Sequence, residues 1–304
     1  MPLDSPARQE GRHYRSPLRR RTRLALLWEA AVLIMLATVT LAVIRSAPSS
    51  WSDSPAASAE EARGLAAAAI PEGLQDSVDR ILRGAEGYRV GVALAAVAGG
   101  QTRTYGEESS FVAASTAKVI TAAAYYHLVE TGEATLEQKL GAYSAAFQLE
   151  AMINTSNNDS WLLLMGAVGY PRLIQYAASI GITYDPQQNR LTPEELAHFL
   201  KQLYSGDLLN REHTEQLLSY MRNTNAEELI PAVAGPDIMV HHKYGRLDGN
   251  LHDAALLSFG ETTYALVIYT ESADSTDEAD RVAMIHELTE TIVDAVFPSS
   301  VPDR

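Results

Sequence analysis

The chain has 304 residues, 46% hydrophobic and 20% charged, a globular composition long enough for one large or two small domains. Lys plus Arg is 24 against 38 for Asp plus Glu, so the formal net charge is −14, which argues against a nucleic-acid partner. There is no cysteine, which excludes disulfides, thiolate nucleophiles and cysteine-ligated metals.

The charge is uneven along the chain. Residues 1–45 carry eight Arg and three acids, a net of +5; the rest carries 16 basic and 35 acidic residues, a net of −19. Residues 24–44 (LALLWEAAVLIMLATVTLAVI) form a run of 21 residues with one charge, Glu29. A helix needs about 20 apolar residues to span a bilayer, and the Arg-rich segment 1–23 before it is expected to stay cytoplasmic. The reading is a single-pass anchor in the cell membrane with everything after residue 44 outside. A cleaved signal peptide is the rival, with small residues at Ala56–Ala57–Ser58–Ala59. Residues 45–63 are rich in Ser, Ala and Pro and read as a flexible tether.

From residue 64 onward one α+β body is predicted. A helix spans 73–84, a strand 88–97, and Gly99–Gly100 turns the chain back into a hairpin partner. An apolar helix covers 115–131. Residues 145–222 are mostly helical, with breaks at Asn157–Asn158, Gly181 and Pro186. Strands follow at 238–246, 251–259 and 263–270, with Asp248–Gly249 marking a hairpin. A helix over 277–296 closes the chain. This order predicts an antiparallel sheet built from both chain ends with an inserted helical subdomain.

Three short elements carry chemistry. In Ser115–Thr116–Ala117–Lys118 the residues three apart share a helix face, so Lys118 can reach the Ser115 hydroxyl. A serine is a weak nucleophile until a base accepts its proton, and a lysine serves when burial lowers its pKa. Backbone N–H groups at the helix start can stabilise an oxyanion. Ser156–Asn157–Asn158 breaks two helical stretches and can point polar groups into a cleft. Lys243–Tyr244–Gly245 lies on a strand before the turn; there the lysine adds positive charge and the glycine permits close approach of a substrate backbone.

In this order the three elements resemble the S-x-x-K, S-D-N and K-T-G set of class A β-lactamases and penicillin-binding proteins. The segments AASTAKVITAAAYYHLVE, NRLTPEELAHFLKQLYSG and HKYGRLDGNLHDAALLSF resemble further parts of that family. The resemblance implies a β-lactamase/transpeptidase-like fold and an acyl-enzyme mechanism without a cofactor or metal. It makes Ser115 the acylated nucleophile, Lys118 its base and Ser156 the proton shuttle. Asn158 then binds the acyl-side amide, and Lys243 adds charge against a substrate carboxylate. Tyr244 and Gly245 occupy the rest of the K-T-G position, and the N–H groups of Ser115 and Arg246 form the oxyanion hole.

The departures point to slow deacylation. Asn157 stands for the usual Asp, Tyr244 for Thr or Ser, and Leu162 where an Asn usually braces the loop that carries the deacylating Glu. That loop is read as missing. Glu194 and Glu195 follow Thr192–Pro193 as a capping signature, and Asp185 reads as a turn former. The eight histidines show no metal-ligand spacing; His241 and His242 point to opposite strand faces, so at most one faces the cleft. Tyr125 and Tyr126 read as core. The expected activity is a membrane-anchored serine hydrolase acting on β-lactam or D-alanyl peptide-like amides. A D,D-peptidase or transpeptidase of the cell wall is the alternative, and a non-catalytic β-lactam or muropeptide sensor a third. The expected partners are a small-molecule or peptidoglycan-peptide substrate and, through 24–44, the lipid bilayer.

Overall fold

A computed structural model describes residues 70–273 and 277–298. The basic tail 1–23, the anchor 24–44 and the tether 45–63 lie outside the described residues, as do 64–69. Among the described residues no helix is long and apolar enough to cross a membrane.

The chain runs α1 (Leu74–Arg83), β1 (Tyr88–Ala96), β2 (Arg103–Gly106), β3 (Phe111–Val112), a 3₁₀ turn (Ala114–Ala117) and α2 (Lys118–Glu130). Then come β4 (Lys139–Leu140), β5 (Tyr143–Ser144), α3 (Ala145–Asn154), α4 (Asn158–Val168), α5 (Tyr170–Ser179), β6 (Arg190–Leu191), α6 (Pro193–Ser205) and α7 (Arg211–Tyr220). It ends with α8 (Ile230–Val233), β7 (Met239–Leu247), β8 (Asn250–Phe259), β9 (Thr262–Ser272) and α9 (Glu278–Val296). The main sheet has the order β2-β1-β9-β8-β7, antiparallel throughout. Both chain ends therefore build the sheet and the helical part is inserted between them, as the sequence predicts.

Both faces of the sheet are covered, and side chains alternate between two cores. Ala93, Ala254, Val267 and Tyr269 pack against α2 and the inserted helices. Val92, Leu94, Ala255, Leu266 and Ile268 pack with α1, α8 and α9. This is why β8 and β9 read as nearly unbroken apolar runs. Helix α2 is buried continuously from Lys118 to Tyr126, as its mostly apolar run there requires, and Tyr125 and Tyr126 are core; His127 and Glu130 in its last turn are exposed.

Local signals explain the boundaries. Asn157 caps α4 by accepting the Ser160 N–H, and Thr192 with Glu195 forms a complete capping box on α6. At the β7–β8 hairpin Asp248 takes φ +49°, and a Cβ on Gly249 would stand 1.8 Å from the Ser272 carbonyl, so only glycine fits there. One element differs from expectation. The helix predicted over 115–131 starts as a 3₁₀ turn, and α2 begins only at Lys118.

Candidate active site

Ser115 sits inside the 3₁₀ turn that joins β3 to α2. In that geometry there are three residues per turn, so residues i and i+3 eclipse, and Lys118 follows Ser115 on one edge more closely than α-helical spacing would give. The turn is pinned on both sides. Thr116 Oγ1 bonds Ala113 O at 2.7 Å and shares a 2.6 Å hydrogen bond with the buried Tyr269 hydroxyl. Ala113 N donates to Asn189 O, and Asn189 Nδ2 donates to Ala114 O. Ala114 is held at φ +50° and Ser156 at φ +57°, a left-handed backbone that non-glycine residues rarely adopt and that clusters at functional sites.

Ser156 joins the two lysines. Lys118 Nζ donates to Ser156 O (2.8 Å) and to Asn158 Oδ1 (2.7 Å), with a longer contact to Ser156 Oγ (3.4 Å). From the other side Lys243 Nζ donates to Ser156 Oγ at 3.0 Å and to Tyr244 O at 3.1 Å. Burial pushes the Lys118 amine down to about 8. Lys243 is wholly buried and its pKa falls well below the usual lysine range, through burial first and the Lys118 charge second, with Asp253 opposing. A neutral Lys118 keeps two N–H donors, enough for Ser156 O and Asn158 Oδ1, and leaves its lone pair for a proton. The direct Lys118–Ser115 contact expected from the sequence is not among the hydrogen bonds of Lys118: its strong bonds run to Ser156 and Asn158, and it meets Ser115 only as a shared wall of the cavity.

The cavity measures about 310 Å³. Ser115, Lys118, Asn158, Asn189 and Arg246 supply its polar lining, and Trp161, Leu162, Tyr184 and Leu247 most of its apolar wall. Lys243, Ser156, Tyr244 and Gly245 do not line it. Ser156 is joined to its wall through the bonds from Lys118, and Lys243 through its bond to Ser156.

Three expectations need correction. Gly245 serves the nucleophile turn more than a substrate backbone: a Cβ there would lie 3.1 Å from Ala113 O, Ala114 Cβ and Ser115 N. Tyr244 does not offer its hydroxyl to the cavity, because the hydroxyl donates to Asn225 Oδ1 at 2.7 Å. And the loop read as missing is present in short form. Residues 182–189 reach the cavity through Tyr184 and Asn189, whose side chains bond each other at 2.9 Å. The signal for it was the run Asp185–Pro186 to Asn189, which reads only as a turn.

That loop brings no carboxylate to the cavity. Asp185 turns away and accepts from Gln187 N and Gln188 Nε2. Glu195 is spent on the capping box and on Thr183 N. Neither lines the cavity, nor does any other acid among the described residues. The two adjacent histidines lie away from the cavity. His242 is buried against Asp253 (2.9 Å) and Thr224, burial pushing its pKa down but the Asp253 and Glu227 carboxylates carrying it up; His241 lines a separate surface pocket. The described residues hold no cluster that could bind a metal.

A family model described as the β-lactamase enzyme family matches residues 73–296, well over half of the chain. Among solved structures the fold is similar to PBP-A (20% identity, 75% of this chain and 98% of that one, TM-score 0.67). It is similar as well to a PBP-A mutant captured as the acyl-enzyme with penicillin-G (21%, 73% and 96%, TM-score 0.66). A β-lactamase from Xanthomonas campestris pv. campestris matches at 24% identity, with 73% and 97% covered and a TM-score of 0.67. No curated protein matches the chain. With its fold and its serine–lysine centre, the chain belongs to the β-lactamase enzyme family and is a serine hydrolase.

Proposed function

We propose that the protein is an acyl-enzyme-forming hydrolase of β-lactam or D-alanyl peptide-like amides that acylates readily and deacylates slowly. Ser115 Oγ attacks the carbonyl carbon, Lys118 takes the hydroxyl proton, and Ser156 passes a proton to the leaving nitrogen while Lys243 holds Ser156 in place. Asn158 orients the acyl-side amide. The backbone N–H groups of Ser115 and Arg246 receive the oxyanion. The observation that carries this reading is the Ser156 bridge, one hydroxyl held between two buried amines of lowered pKa beside the cavity that Ser115 lines.

Slow deacylation rests on the cavity lining, which holds five polar residues and no carboxylate. General-base help is worth about 10²–10⁴-fold, and hydrolysis of the acyl-enzyme loses it here. This favours the behaviour of a cell-wall penicillin-binding enzyme over that of an efficient β-lactamase. The proposed setting is the outer face of a membrane, with residues 24–44 as anchor and 45–63 as tether.

Incubation with a fluorescent penicillin, followed by intact mass over time, tests the reading. It predicts one adduct per chain, persistent over many minutes and absent in Ser115→Ala. An adduct of equal yield in Ser115→Ala sinks it.

A further inference from the structure

A second surface pocket, of about 410 Å³, forms where the end of α7, the turn after it and the start of β7 meet. Glu215, Leu218, Ser219, Arg222, Asn223 and His241 line it, and it shares no residue with the Ser115 cavity. Two of its polar groups are already spent. Glu215 accepts from Arg211 Nε at 2.8 Å, and Ser219 Oγ donates to Gln216 O at 2.7 Å. The other three are not. The side chains of Arg222 and Asn223 make no hydrogen bond or ion pair among the described residues. His241 is buried, its Nδ1 has no partner, and its Nε2 bonds nothing among the described residues either.

The turn that carries Arg222 and Asn223 is fixed by its backbone. Asn154 Nδ2 donates to Arg222 O at 2.9 Å and to Asn223 O at 3.3 Å, and His242 N donates to Met221 O at 2.7 Å. The carbonyls hold the chain in place while the polar ends of the side chains stay unused. That is the arrangement of a preorganised site, in which little ordering is left for a ligand to impose.

The chemistry of the lining selects the ligand. With Glu215 matched by Arg211, the Arg222 guanidinium is the uncompensated charge of the pocket. Burial and the Arg222 charge hold His241 neutral, its pKa pushed down to about 4. An N–H buried without an acceptor is costlier than a buried lone pair, so the proton of the neutral ring belongs on Nε2. The pocket thus offers one cation and two neutral donors, the imidazole and the Asn223 amide. A cationic ligand is repelled by Arg222, and an uncharged one leaves it unmatched.

We propose that this pocket binds an oxyanion group, a carboxylate or a phosphate, paired with the Arg222 guanidinium and hydrogen-bonded by His241 Nε2–H and the Asn223 amide. The planar fork of an arginine fits two oxygens of either group.

Inorganic phosphate and acetate, titrated into the full chain against chloride at constant ionic strength, test this through the melting temperature. At least one of them is expected to raise it saturably, by about 3–6 °C when the anion stands about tenfold above its Kd. Whichever anion does so identifies the oxyanion. Arg222→Gln removes only an exposed charge, and its Kd should be at least about tenfold weaker. His241→Phe keeps a ring and loses the donor, and should weaken binding as well. No saturable rise with either anion overturns the proposal, as does an equal rise in Arg222→Gln, which is then a general salt effect. A folded His241→Phe protein with unchanged Kd overturns it too. If that variant does not fold, Arg222→Gln decides alone. The readout uses no acyl donor, so its failure leaves the acyl-enzyme reading standing.

Discussion

The two sides of the cavity are built by different rules. On the nucleophile side, Ser115, Lys118, Ser156 and Lys243 form a closely bonded set at the junction of α2, α4 and the edge strand β7. Its members match the family pattern residue for residue. On the other side, Leu162 and the 182–189 loop line the cavity and depart from it, as does Tyr244 behind the wall, and the polar groups of Tyr244, Arg246 and the loop are paired within the protein. The difference teaches that attack on a carbonyl and release of the product are separable in this fold. In the proposed reading the first uses the buried lysine–serine set and the second a carboxylate lining the cavity; the described residues place none in that lining, and Glu228 and Glu278 beside it are paired with Arg246.

The largest effect expected from breaking the nucleophile side is at Lys118. Lys118→Ala should slow acylation by about 10²–10⁴-fold, the usual worth of a general base. In the unchanged chain the base form is the neutral amine, present above a pKa of about 8. Acylation should therefore rise about tenfold per pH unit below that value and level off above it. Pre-steady-state acylation rates from pH 6 to 9 check this, and a flat profile removes Lys118 from the base role.

A smaller effect is expected where the two sides touch. Gly245→Ala puts a methyl 3.1 Å from the backbone of the Ser115 turn, tighter than ordinary contact. Overpacking of this kind costs about 1–3 kcal/mol and should displace Ser115, so acylation falls while the fold persists. Circular dichroism together with adduct formation tests it; unchanged acylation would show that the turn yields freely.

The smallest is away from the chemistry. Thr192→Ala removes the α6 cap and should cost about 1 kcal/mol of stability. A lowered denaturant midpoint with unchanged acylation is the expected outcome. If acylation fell as well, the cap would be coupled to the site through the 182–189 loop.

Much of the nucleophile side is legible in the sequence because it is written in short-range spacing. Ser115 and Lys118 lie one turn apart, Asn157 caps a helix, and Asp248–Gly249 closes a hairpin, so local rules place each of them. The sheet follows from runs of apolar residues bounded by turn signals. The rim is not legible, because its geometry is tertiary. Strand alternation puts Lys243 and Tyr244 on opposite faces, and nothing local says that on an edge strand the ammonium lies over the neighbouring ring. Asn189 reaches the site only through its left-handed φ of +49° and its bond to Ala114 O, neither of which has a period or motif. Glu228 and Glu278, which hold Arg246, come from segments 18 residues before it and 32 after it.

The most direct measurement of the separation is a rapid-mixing trace with a chromogenic cephalosporin at saturating concentration. If acylation is intact and hydrolysis unassisted, product appears as a burst of about one equivalent per chain, followed by a much slower line. A linear trace with no burst and rapid steady turnover contradicts the account, because it means that water is activated by a group the cavity was not thought to hold.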